Sequence, residues 1–304
     1  MMVKSFLASA LLGTATAMVT GQDIPPLGLD TAGIDFYKAT STVRQALDLG
    51  YVNFVAAPSY SNEPTVGEGI CEADREAFWV TSKLPNDRHK GREVLMGVEN
   101  SMGNLLTIYI DLYLVEWPVA FKRGTQELDR ETTLIETWKE MEILVRASRT
   151  RHIGVANFAP ADLEAILSVC TICPYAHEFE LHPYLQQQEW VDWHLERGIK
   201  VIASSPLGDN SVLEDPFWKA LAEKKNATVA QTVIAWGIQR GTTVAPEISK
   251  GATTLEENLG ALDIHFTEEE MQEIAKQDRK TRFNNPGYEW GVELFKGLDD
   301  PTIL

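Results

Sequence analysis

Basic residues are scarce in this 304-residue chain. It has 27 Lys and Arg against 44 Asp and Glu, and a formal net charge of −17. Such a surface repels phosphate backbones, which argues against nucleic acid as a partner. Cysteine is nearly absent, with only Cys71, Cys170 and Cys173, so no disulfide framework is expected. The Cys170-x-x-Cys173 pair has no second Cys or His pair at zinc spacing. A C-x-x-C can be redox-active or half of a metal site, but the favoured reading is two partly buried cysteines at a helix end, and no metal site is expected. Long hydrophobic runs are also missing. Ser5–Gln22 is uncharged but interrupted by Gly13 and several threonines, so no membrane span is expected. No low-complexity tract or Pro/Gly/Ser linker divides the chain.

Residues 1–21 support two readings. Lys4, the Leu/Ala-rich stretch and Ala15-Thr16-Ala17 fit a signal peptide with its cleavage site, which would make the protein secreted. Thr14–Val19, a turn through Asp23 and then Ile24-Pro25 fit a strand–turn–strand hairpin instead.

The rest of the chain, 22–304, alternates between two patterns. Short apolar runs rich in β-branched residues fall at Val52–Ala56, Phe78–Ser82, Leu112–Glu116, His152–Val155, Ala176–Leu181, Lys200–Ala203 and Thr242–Ala245, with a weaker one at Pro26–Leu29. Amphipathic stretches lie between them at Ala39–Leu49, Arg92–Leu106, Thr133–Ala147, Pro160–Val169, Gln187–Arg197 and Ala230–Gln239, with a shorter candidate at Glu63–Glu72. Strand then helix, about eight times over, predicts a parallel sheet, and eight units predict a single (β/α)8 barrel. Gly50, Gly198 and Gly241 stand where helix C-caps are needed. Thr267 with Glu270 forms a capping box for a helix running to about Asp278. The tail 279–304 carries Phe283, Tyr288, Trp290 and Phe295 and is expected to fold across one mouth of the barrel.

Active sites of such barrels lie at the C-terminal ends of the strands. Tyr60, Lys83 and Glu116 end the second, third and fourth strands. A phenol beside an ammonium is a proton donor whose pKa the cation lowers, and a nearby carboxyl either pairs with the ammonium or, kept protonated, donates to an oxyanion. Trp79, Trp117, Phe121 and Trp290 are candidate pocket aromatics.

Several segments resemble the aldo-keto reductase family. They are Leu27-Gly28-Leu29, Gly50-Tyr51, Tyr60-Ser61-Asn62-Glu63, Thr81-Ser82-Lys83, Asp111-Leu112-Tyr113-Leu114 with Trp117-Pro118, Gly154-Val155 with Asn157-Phe158, Glu180 with His182-Pro183-Tyr184, Ser205-Pro206-Leu207-Gly208 and Glu257-Asn258. The resemblance runs in order through nearly the whole chain. It implies a (β/α)8 barrel that reduces a carbonyl or conjugated enone of a small organic substrate with NADPH and without metal, in the cytoplasm, with Tyr60 as proton donor and Lys83 as the residue that lowers its pKa. It sets no oligomeric state. Of the residues implied to hold the cofactor, Asn157, Glu178, Ser205, Leu207, Lys250, Glu257 and Asn258 are candidates here.

Departures from the family pattern are as informative. The family aspartate falls on Val55, so Lys83 lacks its usual partner, and the family histidine falls on Glu116, as it does in steroid 5β-reductases. Ala156 replaces a serine, His177 and Glu178 replace the amides near the carboxamide, Ser204 replaces the stacking tyrosine, and Thr254 replaces an arginine. Pro246-Glu247-Ile248 stands where the family grips the 2′-phosphate, a one-residue slip from Lys250. A carboxylate there disfavours NADP and leaves NAD as the alternative. With Val55 silent, Glu116 is expected within ion-pair reach of Lys83. Two further readings follow from the losses: a redox-inactive barrel that acts as a binding protein, with a channel-auxiliary role as one form of this, or a cofactor-independent dehydratase or isomerase.

Overall fold

The structure is a computed structural model that describes residues 23–248 and 253–299. The signal-peptide segment, the first arm of the hairpin and Lys250 lie outside the described residues, and Ile24-Pro25, the hairpin's second arm, is not a strand.

Eight strands lie side by side in sequence order, all parallel: β1 Leu29–Asp30, β2 Asn53–Val55, β3 Trp79–Leu84, β4 Ile110–Val115, β5 Thr150–Ala156, β6 Ala176–Glu180, β7 Lys200–Ser204 and β8 Thr243–Val244. Every residue of β3, β4 and β6 is buried, as parallel strands covered on both faces require. The sheet curls. Gly28 N–H donates to Val244 O at 2.9 Å and Val244 N–H to Pro26 O at 2.8 Å, so the segment before β1 bonds to β8. Both end strands are shorter than the sequence predicts. Pro25 and Pro26 have no N–H, which limits the ladder available to the first strand.

Parity along the strands sorts the side chains. Phe54, Val80, Tyr113, Val155 and Phe179 face outward into the main core beneath the helices. Trp79, Leu112, Leu114, Ala156, Ala176 and Ile202 face inward and form a separate apolar plug with Ile24. Gly154 lies on the same inner face, and a Cβ there would stand 2.3 Å from Ala176 O, so only glycine lets β5 approach β6.

Helices return between the strands, at Phe36–Leu49, Glu63–Ile70, Arg92–Asn104, Leu134–Arg146, Pro160–Leu167, Gln188–Glu196 and Val229–Gln239. Their ends follow local chemistry. Asp35 caps the first, and Gly50 ends it at φ 98° with its N–H on Ala46 O and Leu47 O. Thr133 with Glu136, and Thr228 with Gln231, form capping boxes. A further helix, Pro216–Lys225, escaped the sequence reading, although Asp215 as N-cap and Pro216 at the first turn announce it.

The cysteine expectation is corrected. Cys170 and Cys173 form a disulfide with Cα atoms 5.1 Å apart. The turn that joins them is pinned by Glu142, whose carboxylate accepts the N–H of Thr171 and of Ile172. Held in that turn, the two sulfurs meet. Among the described residues no helix is long and apolar enough to cross a membrane.

Candidate active site

Inward parity continues to the C-terminal ends of the strands, and there it turns polar. On β3, Trp79 and Thr81 lead to Lys83. On β4, Leu112 and Leu114 lead to Glu116, and on β6, Ala176 leads to Glu178 and Glu180. Beyond β2, the 3-10 turn Pro58–Tyr60 delivers the Tyr60 ring. Asn62 fixes that turn, its Nδ2 donating to Thr31 O at 2.8 Å and to Ile34 O at 3.1 Å.

Lys83 Nζ donates to Tyr60 Oη at 2.8 Å and to Glu178 Oε1 at 2.7 Å. The Lys83 and Glu178 side chains are only 5% and 6% exposed. This corrects the expected pairing: the direct anion on Lys83 is Glu178, reaching from β6 across the inside of the sheet. Glu116 instead accepts the Ser59 hydroxyl at 2.6 Å and acts on Lys83 only through space.

One member of the cluster escaped the sequence reading. Asp30, the last residue of β1, is buried, and its Oδ2 lies 3.4 Å from Tyr60 Oη. It is the register partner of Val55, so a carboxylate stands one strand over from the position where the family aspartate is missing. An acid at the end of the apolar run Leu27-Gly28-Leu29 was the available signal.

Burial governs the protonation states. Desolvation, helped by the neighbouring Glu178 and Glu247 and opposed by Lys83, raises the Asp30 carboxyl to about 7. Burial also raises the Glu116 carboxyl, against the pull of Lys83 and Ser59. Lys83 is desolvated too, but Glu178, Tyr60, Asp30 and Glu116 outweigh that and hold its pKa well above the ordinary lysine value. Tyr60 departs from expectation. Burial and the Asp30 charge push it well above 10 despite Lys83 beside it, so it is a neutral phenol at rest.

The residues expected at the cofactor fall into three groups. Asn157, at φ 62°, takes Glu178 O through its backbone N–H at 2.9 Å and Glu116 O through its side chain at 3.0 Å, so it ties β4 to β6 beside the cluster. Glu178 has its second oxygen, Oε2, buried and unpartnered among the described residues. Ser205 and Leu207 line a cleft of about 290 Å3 with Asp209, Glu247, Phe283 and Asn284. Glu257 and Asn258 lie apart, in the short helix Leu255–Leu259. Glu257 completes a capping box with Thr254, and the helix takes the Tyr51 hydroxyl on Leu255 O at 3.0 Å.

Of the aromatics, Trp79 stacks on His152 at 5.7 Å between ring centroids, at the opposite end of the strands from Lys83. Trp117 meets Trp290 edge-on at 5.2 Å, and Trp290 meets Phe121 at 5.2 Å. The tail residue Trp290 is therefore seated beside the residue that follows Glu116. Glu180 anchors the tail, accepting the N–H of Phe283 at 2.7 Å and of Asn284 at 2.9 Å while His182 Nε2 lies 2.8 Å from it.

Comparison with known proteins gives the family. Residues 25–279 match the sequence model of the Aldo/keto reductase family. An uncharacterized oxidoreductase of Schizosaccharomyces pombe is 36% identical over 305 residues, covering 93% of this chain and 94% of that protein. An aldo/keto reductase of Synechocystis is 36% identical over 289 residues, covering 86% and 88%. Among solved structures, an aldose reductase from Schistosoma japonicum superposes with a TM-score of 0.83 at 30% identity, over 91% of this chain and 96% of that one. The chain belongs to the aldo/keto reductase family, whose members are oxidoreductases of small carbonyl compounds that generally use NAD(P)H.

Proposed function

We propose that this protein is an NADPH-dependent reductase of a small carbonyl or conjugated enone compound, built on a closed (β/α)8 barrel with Tyr60 as its acid. The observation that carries the reading is the 2.8 Å bond from Lys83 Nζ to Tyr60 Oη at the C-terminal ends of the strands. The bonds between Gly28 and Val244 support closure of the barrel.

Among the described residues Glu178 Oε2 is a buried acceptor without a partner, and it would accept the N–H of a nicotinamide carboxamide, which supports the reading. Ser205 and Leu207 would hold the pyrophosphate in the cleft they line, where the carboxylates of Asp209 and Glu247 oppose its charge and weaken the grip. Bound cofactor supplies the hydride. Tyr60 gives its hydroxyl proton to the substrate oxygen. Lys83 donates into the phenol oxygen and stabilises the phenolate as it forms, and Glu178 keeps Lys83 charged. Glu116, when protonated, would offer a second donor at the ends of the strands, on the side of the Lys83 ammonium on which it acts through space. The Trp117–Trp290–Phe121 cluster shields this end from water.

Fluorescence titration with NADPH and NADH, followed by turnover of an aldehyde, tests the reading. Ser204 lacks a stacking ring, Thr254 lacks a guanidinium, and a lost charge-assisted phosphate contact is worth roughly 1.5–3 kcal/mol. NADPH is therefore expected to bind with a dissociation constant above about 1 μM, and turnover is expected with one of the two nucleotides. Binding of neither nucleotide refutes the function, whereas sub-micromolar NADPH binding refutes only the weakened grip. Glu116→Gln keeps a donor but no charge and is expected to change the rate at least about tenfold. An unchanged rate removes Glu116 from the chemistry.

A further inference from the structure

The phenol oxygen of Tyr60 has one hydrogen to give and two lone pairs to fill. Lys83 Nζ occupies one lone pair at 2.8 Å. Among the described residues Asp30 Oδ2 is the other hydrogen-bond neighbour, accepting the Tyr60 hydroxyl at 3.4 Å, and its partner oxygen Oδ1 is already fixed by the Ala32 N–H at 2.9 Å. The carboxyl plane is thereby held, and only Oδ2 faces the phenol. Asp30 then has two distinct effects on Tyr60. As a carboxylate it can only accept, so it draws the Tyr60 hydrogen back toward β1 and away from a substrate. As a carboxylic acid it fills the second lone pair and leaves the Tyr60 hydrogen free to point at the substrate oxygen.

We propose that Asp30 is a positioning residue for the Tyr60 proton, holding Tyr60 in its donating orientation only while Asp30 itself is protonated. This rests on the reductase reading above. It assigns β1 a role that the sequence motifs do not, and it differs from ion pairing with Lys83, which Glu178 already provides.

The charged and titratable groups facing Asp30 are Lys83 from β3, Glu178 from β6, Tyr60 after β2 and Glu247 after β8, besides the Ala32 N–H. Two carboxylates and burial outweigh the single ammonium, so the acid form persists to about pH 7. Reductase activity that needs the acid form therefore falls as pH rises through that value.

Two variants of the full chain separate this role from mere packing. In Asp30→Asn the oxygen keeps the Ala32 N–H and the amide nitrogen faces Tyr60, a permanent donor that cannot titrate. In Asp30→Val there is no donor at all. The expected result is that kcat/KM of the wild type for aldehyde reduction with NADPH falls above about pH 7, that Asp30→Asn holds its low-pH rate through about pH 8.5, and that Asp30→Val is at least about tenfold slower than the low-pH wild type with no break at about pH 7. Infrared difference spectra of wild type minus Asp30→Asn supply a readout that needs neither cofactor nor turnover, a carboxylic acid C=O band that disappears with a midpoint between about pH 6 and about pH 8. If no variant turns over any carbonyl compound, the reductase reading fails and the infrared band alone decides the state of Asp30. A pH profile of Asp30→Asn that falls like the wild type, wild-type rates in Asp30→Val, or the absence of a titrating acid band each overturns the proposal.

Discussion

Tyr60→Phe lowers kcat/KM for NADPH-dependent carbonyl reduction by about 10²–10⁴-fold, the range expected when a positioned general acid is removed. The loss is largest below about pH 7 and narrows above it, where the wild type itself slows as Asp30 ionises, while the Tyr60 hydroxyl, held well above 10 by burial and Asp30, does not titrate in that range. The fold is nearly untouched. Lys83 loses one of its two hydrogen bonds but keeps Glu178 at 2.7 Å, so no buried charge is orphaned, and stability changes by about 1 kcal/mol. Thermal denaturation together with steady-state kinetics checks both halves. A variant that turns over at the wild-type rate places the proton donor elsewhere. A variant that unfolds shows Tyr60 to be a structural member of the core.

Why Tyr60 and Lys83 were legible and Asp30 was not follows from strand length. In β3, three inward positions in a row, Trp79, Thr81 and Lys83, sit in a six-residue run, so a period of two assigns Lys83 to the inner face from sequence alone. β1 has two residues, too few for any period. Its inward face becomes known only once Asp30 pairs with Val55. Sequence order misled in a related way at Glu116. Neighbouring strands are close along the sheet, which made β4 the natural source of an anion for β3. In a curled sheet the shorter path runs through the interior, and there Glu178 of β6 reaches Lys83 while Ser59 holds Glu116. The cysteines failed for a third reason: what joins Cys170 to Cys173 is a turn pinned by Glu142 from another helix, a contact that no local pattern contains. The same limits explain why the helix Pro216–Lys225 passed unread although its cap was visible. The eightfold alternation left only one slot between β7 and β8, and two helices fill it.

Glu178→Ala destabilises the protein by about 3–5 kcal/mol, the cost of stripping the partner from a buried ion. Both side chains of the pair are about 95% covered, so solvent screening offers Lys83 little relief. Relief comes from Asp30, and it depends on pH. In the wild type the Asp30 carboxyl is raised from 3.8 to about 7 in the folded state. A carboxyl raised on folding favours the folded state fully below its unfolded pKa. That advantage is lost as pH climbs to its folded pKa, here across about pH 4 to 7, a window worth roughly 4 kcal/mol at 1.36 kcal/mol per unit. Removing Glu178 takes away a carboxylate that raises Asp30 and leaves Lys83, which lowers it, without its nearest anion. Asp30 then ionises at lower pH in the variant and shares less of that loss. The gap between wild type and Glu178→Ala is therefore widest near about pH 5, where Asp30 is protonated and Lys83 has no directly bonded anion, and narrower by about 1–2 kcal/mol near about pH 8.5, where Asp30 supplies the missing charge. Chemical denaturation of the two proteins at both pH values measures it. A gap that stays constant or widens with pH would show that Asp30 does not sense Lys83, and the double variant Asp30→Asn with Glu178→Ala isolates the coupling, since it should lose the narrowing altogether.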